Sequence, residues 1–224
     1  MGNDAGLSHY KGWDNLLLGK NSASSANQTN NLTIQGSSSI GANSLVDASN
    51  KVRIGSATVT KIEGQVAWSI ASDARFKENV SQNVPGIDFI NGLNPVTYNF
   101  DTRMFQEHII QSFPDSVKTT FLEQEFDESS SITHTGFLAQ EVEQVCNQLG
   151  YDFSGLNKPD SSNPASYYTV SYSQFVVPLV KAVQEQQDLI EAQETEIEIL
   201  QQKSDEKDAM LQDLIQRIET LERE

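Results

Sequence analysis

Ser72 and Lys77 bracket the hexapeptide Ser72-Asp73-Ala74-Arg75-Phe76-Lys77. A serine hydroxyl attacks a carbonyl only when a base takes its proton, and a lysine can be that base once its pKa is lowered. The spacing alone is common, and its bland reading is a helix cap at Ser72 followed by surface charges. Asp73 and Arg75 read as turn and salt-bridge residues. The other reactive side chains form no constellation. Cys146 is the sole cysteine, set in the helical pattern GFLAQEVEQVCNQL, where a small packed side chain is the expected role. One thiol makes neither an intrachain disulfide nor a zinc site. His9, His108 and His134 are scattered without ligand spacing, so neither a metal nor a cofactor is expected.

The bulk properties narrow the partners. The chain has 224 residues, 37% hydrophobic content and a net charge of −16. Such a surface repels phosphate backbones and anionic lipid, which argues against nucleic acid and membrane surfaces as partners. No stretch is long and apolar enough to span a bilayer. The opening MGNDAGLSHYKGWDN lacks the apolar core of a signal peptide. It reads as a start methionine set on the middle of a longer protein, so a C-terminal fragment is expected.

The elements that must position Ser72 and Lys77 fall into three zones: 1–68, 69–172 and 173–224. The first fifty residues are rich in Ser, Asn, Gly, Ala and Thr. LLLGKNS, NLTIQGSSS and KVRIGSATVTKIEG each read as one coil of a trimeric β-fibre, in preference to a disordered linker. Over 51–71, Val52, Ile54, Val59, Ile62, Val66 and Trp68 alternate with polar residues, a β-hairpin or β-prism pattern. In the middle zone, GIDFINGL predicts a short helix and PVTYNF a strand. MFQEHIIQSF predicts a helix ended by Pro114, and DESSSITH an exposed loop. TGFLAQEVEQVCNQLG predicts an amphipathic helix through Leu138, Val142, Val145 and Leu149, stopped at Gly150. SGLNKPDSSNPAS reads as a loop, and YYTVSYSQF as a strand leading into the last helix.

That last helix starts near Ser173, with Pro178 in its first turn. With Val176 at heptad position a, the a residues are Val176, Val183, Ile190, Ile197, Ser204, Leu211 and Ile218. The d residues are Leu179, Gln186, Gln193, Leu200, Lys207, Leu214 and Leu221. A sustained seven-residue period predicts a left-handed coiled coil, and glutamines at d fit a trimeric core. Ser204 and Lys207 form a weak middle layer. The fold class is therefore α+β: a trimeric β-stalk or β-prism, a small mixed helical domain, and a long helix in a trimeric coiled coil.

SDARFKENV, INGLNPVTYNF, TGFLAQEVEQV and VSYSQFVVPLVKAVQEQQ, in that order, resemble the chaperone-of-endosialidase family over residues 69–195. These are self-cleaving C-terminal chaperone domains of phage tail spikes and fibres, some bacterial surface proteins, and myelin regulatory factor-like transcription factors. The resemblance implies a Ser–Lys dyad of Ser72 and Lys77 and cleavage between Ala71 and Ser72. Attack by Ser72 Oγ on the Ala71 carbonyl would be intramolecular, with the effective-molarity advantage of a held pair. The resemblance also implies a homotrimer whose other partner is the N-terminal fibre portion of the same polypeptide. Residues 101–133 are expected either to reach onto that fibre as an arm or to pack on their own domain. A phage tail fibre or spike, or a bacterial surface fibre, is the expected setting, with the chaperone part released after assembly in the cytoplasm. Two other functions compete: a structural trimer or adhesin tip that is never cut, and a released transcription-factor fragment. The second is disfavoured, because no basic DNA-binding segment or membrane span is present.

Overall fold

The computed structural model describes residues 2–6, 9, 11–25 and 33–222. Leu32 of the second expected coil, and Arg223 and Glu224 beyond the last heptad, lie outside the described residues. The chain is mixed α+β and ends in one long helix. In order, its elements begin with β1 (Leu16–Leu18), β2 (Ala23–Ser24), β3 (Ser38–Ile40), β4 (Leu45–Val46) and β5 (Val52–Ile54). A 3-10 turn at Ala74–Phe76 precedes α1 (Ile87–Gly92), β6 (Val96–Asn99), α2 (Thr102–Ile109), α3 (Asp115–Leu122), α4 (Asp127–Ser131) and β7 (Thr133–Gly136). Then come α5 (Ala139–Leu149), β8 (Leu156–Asn157), β9 (Thr169–Val170), a second 3-10 turn at Tyr172–Phe175, and α6 (Val176–Leu221). Two compact units divide the chain: residues 1–81, 94–144 and 153–171 in one, and residues 82–93, 145–152 and 172–224 in the other.

The first unit opens with stacked parallel coils. Leu16 lies opposite Ser38 and Ser38 opposite Val52, while Ala23 lies opposite Leu45. Each coil turns through the same chemistry. Gly41 (φ 112°) follows β3, and its N–H donates to Leu18 O at 2.7 Å. Asn21 and Asn43 are both left-handed (φ 55° and 56°), a conformation that asparagine tolerates better than most residues. Asn21 Nδ2 donates to Asn43 Oδ1 at 2.9 Å, so the two turns stack as an amide ladder. Ser22, Ser24, Ser39 and Ser44 are wholly buried, because only small side chains fit between coils so closely stacked.

The alternation over 51–71 does not make a hairpin. Only Val52–Ile54 forms a strand, and it pairs in parallel with β3, because the preceding coil offers a matching edge. From Thr60 to Ser72 the main chain makes no backbone–backbone hydrogen bond among the described residues.

Helices α2 and α3 pack on these coils. Ala23 and Leu45 share one buried cluster with Ile109, Ile110, Phe113 and Phe121. Burying each large apolar side chain there contributes about 1.5–3 kcal/mol. Residues 101–122 thus cover the β-coils of their own chain. Helix α2 ends at Ile109, and Pro114 then opens α3, whose first turn does not need the missing N–H. The expected exposed loop over 127–134 is instead α4 followed by β7, which pairs antiparallel with β6. The reason is tertiary. Ser129 turns inward, its hydroxyl 2.8 Å from Thr102 Oγ1 and 3.0 Å from Phe126 O, so a polar run becomes a packed turn of helix. The strand expected from YYTVSYSQF is only Thr169–Val170, since the chain then winds into the 3-10 turn.

In the second unit α1 lies on the first turns of α6. Phe89 is fully buried, edge-on to Tyr151 at 5.3 Å and stacked on Phe175 at 6.0 Å. Glu185 Oε2 of α6 accepts from Ile87 N at 2.8 Å, supplying the cap that Gly86 lacks a side chain to give. Cys146 is buried, as a small packed side chain should be. Pro178 is buried in the first turn of α6. Of the α5 stripe, Val142 and Val145 are buried, while Leu138 and Leu149 are exposed.

Candidate active site

The two residues whose types suggest catalysis meet. Lys77 Nζ donates to Ser72 Oγ at 2.8 Å. A short 3-10 turn brings them together, and Asp73 builds it. Asp73 is the N-cap residue, and its Oδ1 accepts from Arg75 N at 2.9 Å. The Arg75 guanidinium closes back on the same carboxylate through Nη2 at 2.6 Å and Nε at 3.0 Å, both to Oδ2. Phe76 N and Lys77 N then donate to Asp73 O and Ala74 O, and Lys77 leaves the turn extended (φ −106°, ψ 123°). Ser72 therefore does not cap the turn. Its hydroxyl is left for Lys77.

The Arg75 guanidinium holds the Asp73 carboxyl below the usual carboxylate range, chiefly through the side-chain hydrogen bonds and next through the Arg75 N–H. The Arg75 pKa is raised in turn by Asp73. Every residue from Val59 to Ser81 is exposed, the dyad included. The arrangement can pass a proton between hydroxyl and amine. To act as a base, the amine must first be neutral, and removal from water favours that form.

Neither described cleft belongs to this site. One is lined by Asp101, Arg103, Glu125 and Asp127, the other by Val59, Tyr98, Phe100 and His134. Among the described residues no group of His, Cys, Asp and Glu could hold a metal ion. No described helix is long and apolar enough to cross a membrane. The sequence singled out Ser72 and Lys77 and assigned Asp73 and Arg75 to turn and ion pair, and the 3-10 turn brings all four together. Residues 101–133, expected on the fibre portion or on their own domain, lie on the β-coils of their own chain through Ile109, Ile110, Phe113 and Phe121; no local signal couples Ile109 to Ala23.

A serine and a lysine are thus in hydrogen-bond contact at the start of a mixed α+β stretch. Residues 72–151 match the family model of the peptidase family described as chaperone of endosialidase. The match begins at Ser72. A chaperone-type role and a peptidase-type domain follow at that level. No curated protein and no solved structure matches the chain.

Proposed function

We propose that this chain is the C-terminal intramolecular chaperone of a homotrimeric fibre, such as a phage tail fibre or spike or a bacterial surface fibre, and that it cuts itself off between Ala71 and Ser72. The observation that carries the reading is the 2.8 Å contact of Lys77 Nζ with Ser72 Oγ at the first residue of the family match. In the reaction, neutral Lys77 takes the Ser72 hydroxyl proton as Oγ attacks the Ala71 carbonyl carbon. The tetrahedral adduct collapses, the Ala71–Ser72 C–N bond breaks, and Lys77 returns the proton to the leaving nitrogen. Water then hydrolyses the ester, freeing the Ala71 carboxylate and the Ser72 hydroxyl. In a second route water attacks the Ala71 carbonyl directly. The α6 heptads supply three copies in register, and cleavage removes the assembly device, which leaves the fibre kinetically hard to unfold. The released part leaves in the cytoplasm, and the fibre goes to the virion or cell surface.

The test is intact mass of the purified chain. Cleavage yields a fragment beginning at Ser72, and both Ser72→Ala and Lys77→Ala abolish it. Either variant still cut at this bond would refute the dyad. The exposure of the dyad supports a second reading, a trimerisation module that is never cut, and that reading yields only the full-length mass.

A further inference from the structure

The bond before Ser72 joins two lengths of chain that are already held together elsewhere. Ala23 and Leu45 lie ahead of it, and Ile109, Ile110, Phe113 and Phe121 lie after it, yet all six share one buried cluster, each no more than 3% exposed. Polar contacts cross the same divide. Asn163 Nδ2 donates to Asp47 O at 2.7 Å in a buried position. Arg53 Nη1 donates to Tyr167 Oη at 3.0 Å, and its guanidinium carbon stands 5.3 Å from the centre of the Phe105 ring. Lys51 Nζ stands 5.1 Å from the centre of the Tyr167 ring. The link between the two lengths adds nothing to this hold. From Thr60 to Ser72 every residue is exposed, and the main chain makes no backbone–backbone hydrogen bond among the described residues.

We infer that the face of residues 72–224 built by α2, α3 and the loop before β9 is a binding surface for the N-terminal product, residues 1–71. The chain severed before Ser72 therefore remains one non-covalent complex, and the chaperone departs only in a later step that opens this face. The inference rests on the cut proposed above and separates that cut from release. Buried aliphatic and aromatic side chains on both sides make the contact a core divided in two, the composition of interfaces that stay closed. Asn163 fixes the register, because a shifted coil would leave its buried amide unpaired. Severing the link removes only its effective concentration, about millimolar for a short flexible linker. At micromolar protein that weakens the hold about a thousandfold. Each large apolar side chain kept from water strengthens it by about tenfold or more, so the four on the helices outweigh the lost link.

The experiment severs the full chain in two ways. The native chain is left to cut itself. The Ser72→Ala chain is cut by an added site-specific protease, whose recognition sequence stands in place of residues 62–68. An affinity tag marks the N-terminus of each, and a denaturing gel proves complete scission. On the tag resin, at micromolar protein in native buffer, both fragments should be retained in equal amounts, and the C-terminal one should wash out only in denaturant. Two variants test the face itself: Arg53→Met with Asn163→Ala, and separately Ile110→Ala. Each should make the severed C-terminal fragment dissociate about tenfold faster or more. A C-terminal fragment that washes out of the unsubstituted severed chain in native buffer overturns the inference. Retention with an unchanged dissociation rate in both variants also overturns it, because another surface then holds the fragments. A native chain that is never cut overturns the self-cleavage reading alone, and the protease-cut chain still decides the inference.

Discussion

At the scale of single residues, the turn that joins Ser72 to Lys77 is built on Asp73. Its carboxylate takes the Arg75 N–H and the Arg75 guanidinium together, and that closes the turn across which Lys77 reaches Ser72. A carboxyl whose folded pKa is depressed steadies the turn above its ordinary pKa. That contribution is lost as pH falls through the lowered value. The group is solvated, so the effect belongs to the turn rather than to global stability. In a Ser72→Ala chain the Arg75 amide resonance should titrate with a midpoint below that of an ordinary aspartate; an ordinary midpoint would mean the turn is not held in solution. Asp73→Asn keeps an acceptor and should retain most cleavage, whereas Asp73→Ala should slow it several-fold without changing the oligomer. Ser72 and Lys77 were singled out by the resemblance of the motifs around them, since their spacing alone is common; the contact between them is local, closed by one turn of chain. An oxyanion donor was not legible, because such donors are set by tertiary structure and, where they are main-chain N–H groups, carry no residue type.

At the scale of elements, Gly86 shows how closely α1 lies on α6. A Cβ there would meet Glu185 Oε2 and stand 2.7 Å from Ala182 N, a main-chain atom of the helix. Gly86→Ala should therefore destabilise the chain by about 1–3 kcal/mol in urea unfolding, the usual cost of overpacking. Glu185→Ala in that background should not restore it, since the backbone clash remains and the cap on Ile87 N is lost. Full rescue would mean that only the flexible carboxylate was in the way. Such contacts mark the limit of sequence reading. The α1, α2, α5 and α6 helices were legible because each carries its own apolar period. The pairing of β3 with β1 and with β5 was not, since these strands of three residues pair through Gly and Asn turns at unequal spacing along the chain. DESSS was misread because its helix depends on Ser129 reaching Thr102, a partner far away in sequence.

At the scale of the whole molecule, the longest run of exposed apolar side chains among the described residues is the heptad stripe of α6. Along that stripe Val176, Leu179, Val183, Ile190, Ile197, Leu200, Leu211, Leu214, Ile218 and Leu221 are all exposed. α1 covers a different face, through Ala182 and Glu185. A helix of 46 residues is about 70 Å long and keeps an uncovered seven-residue stripe stably only beside another helix. Assembly is therefore expected to depend on concentration and, with −16 on every copy, to tighten as salt screens the repulsion. Cleavage should follow assembly. The bond and both dyad residues lie in one chain, so an unassisted reaction has a rate that dilution cannot change. A reaction that waits for a second copy slows on dilution below the assembly midpoint and recovers with added salt at the same protein concentration. Following the fraction cut against concentration at two salt levels, with sedimentation on the same samples, separates the two. A rate flat across the monomer–oligomer transition would mean that Ser72 and Lys77 act alone, and that the copies serve the fibre but not the cut.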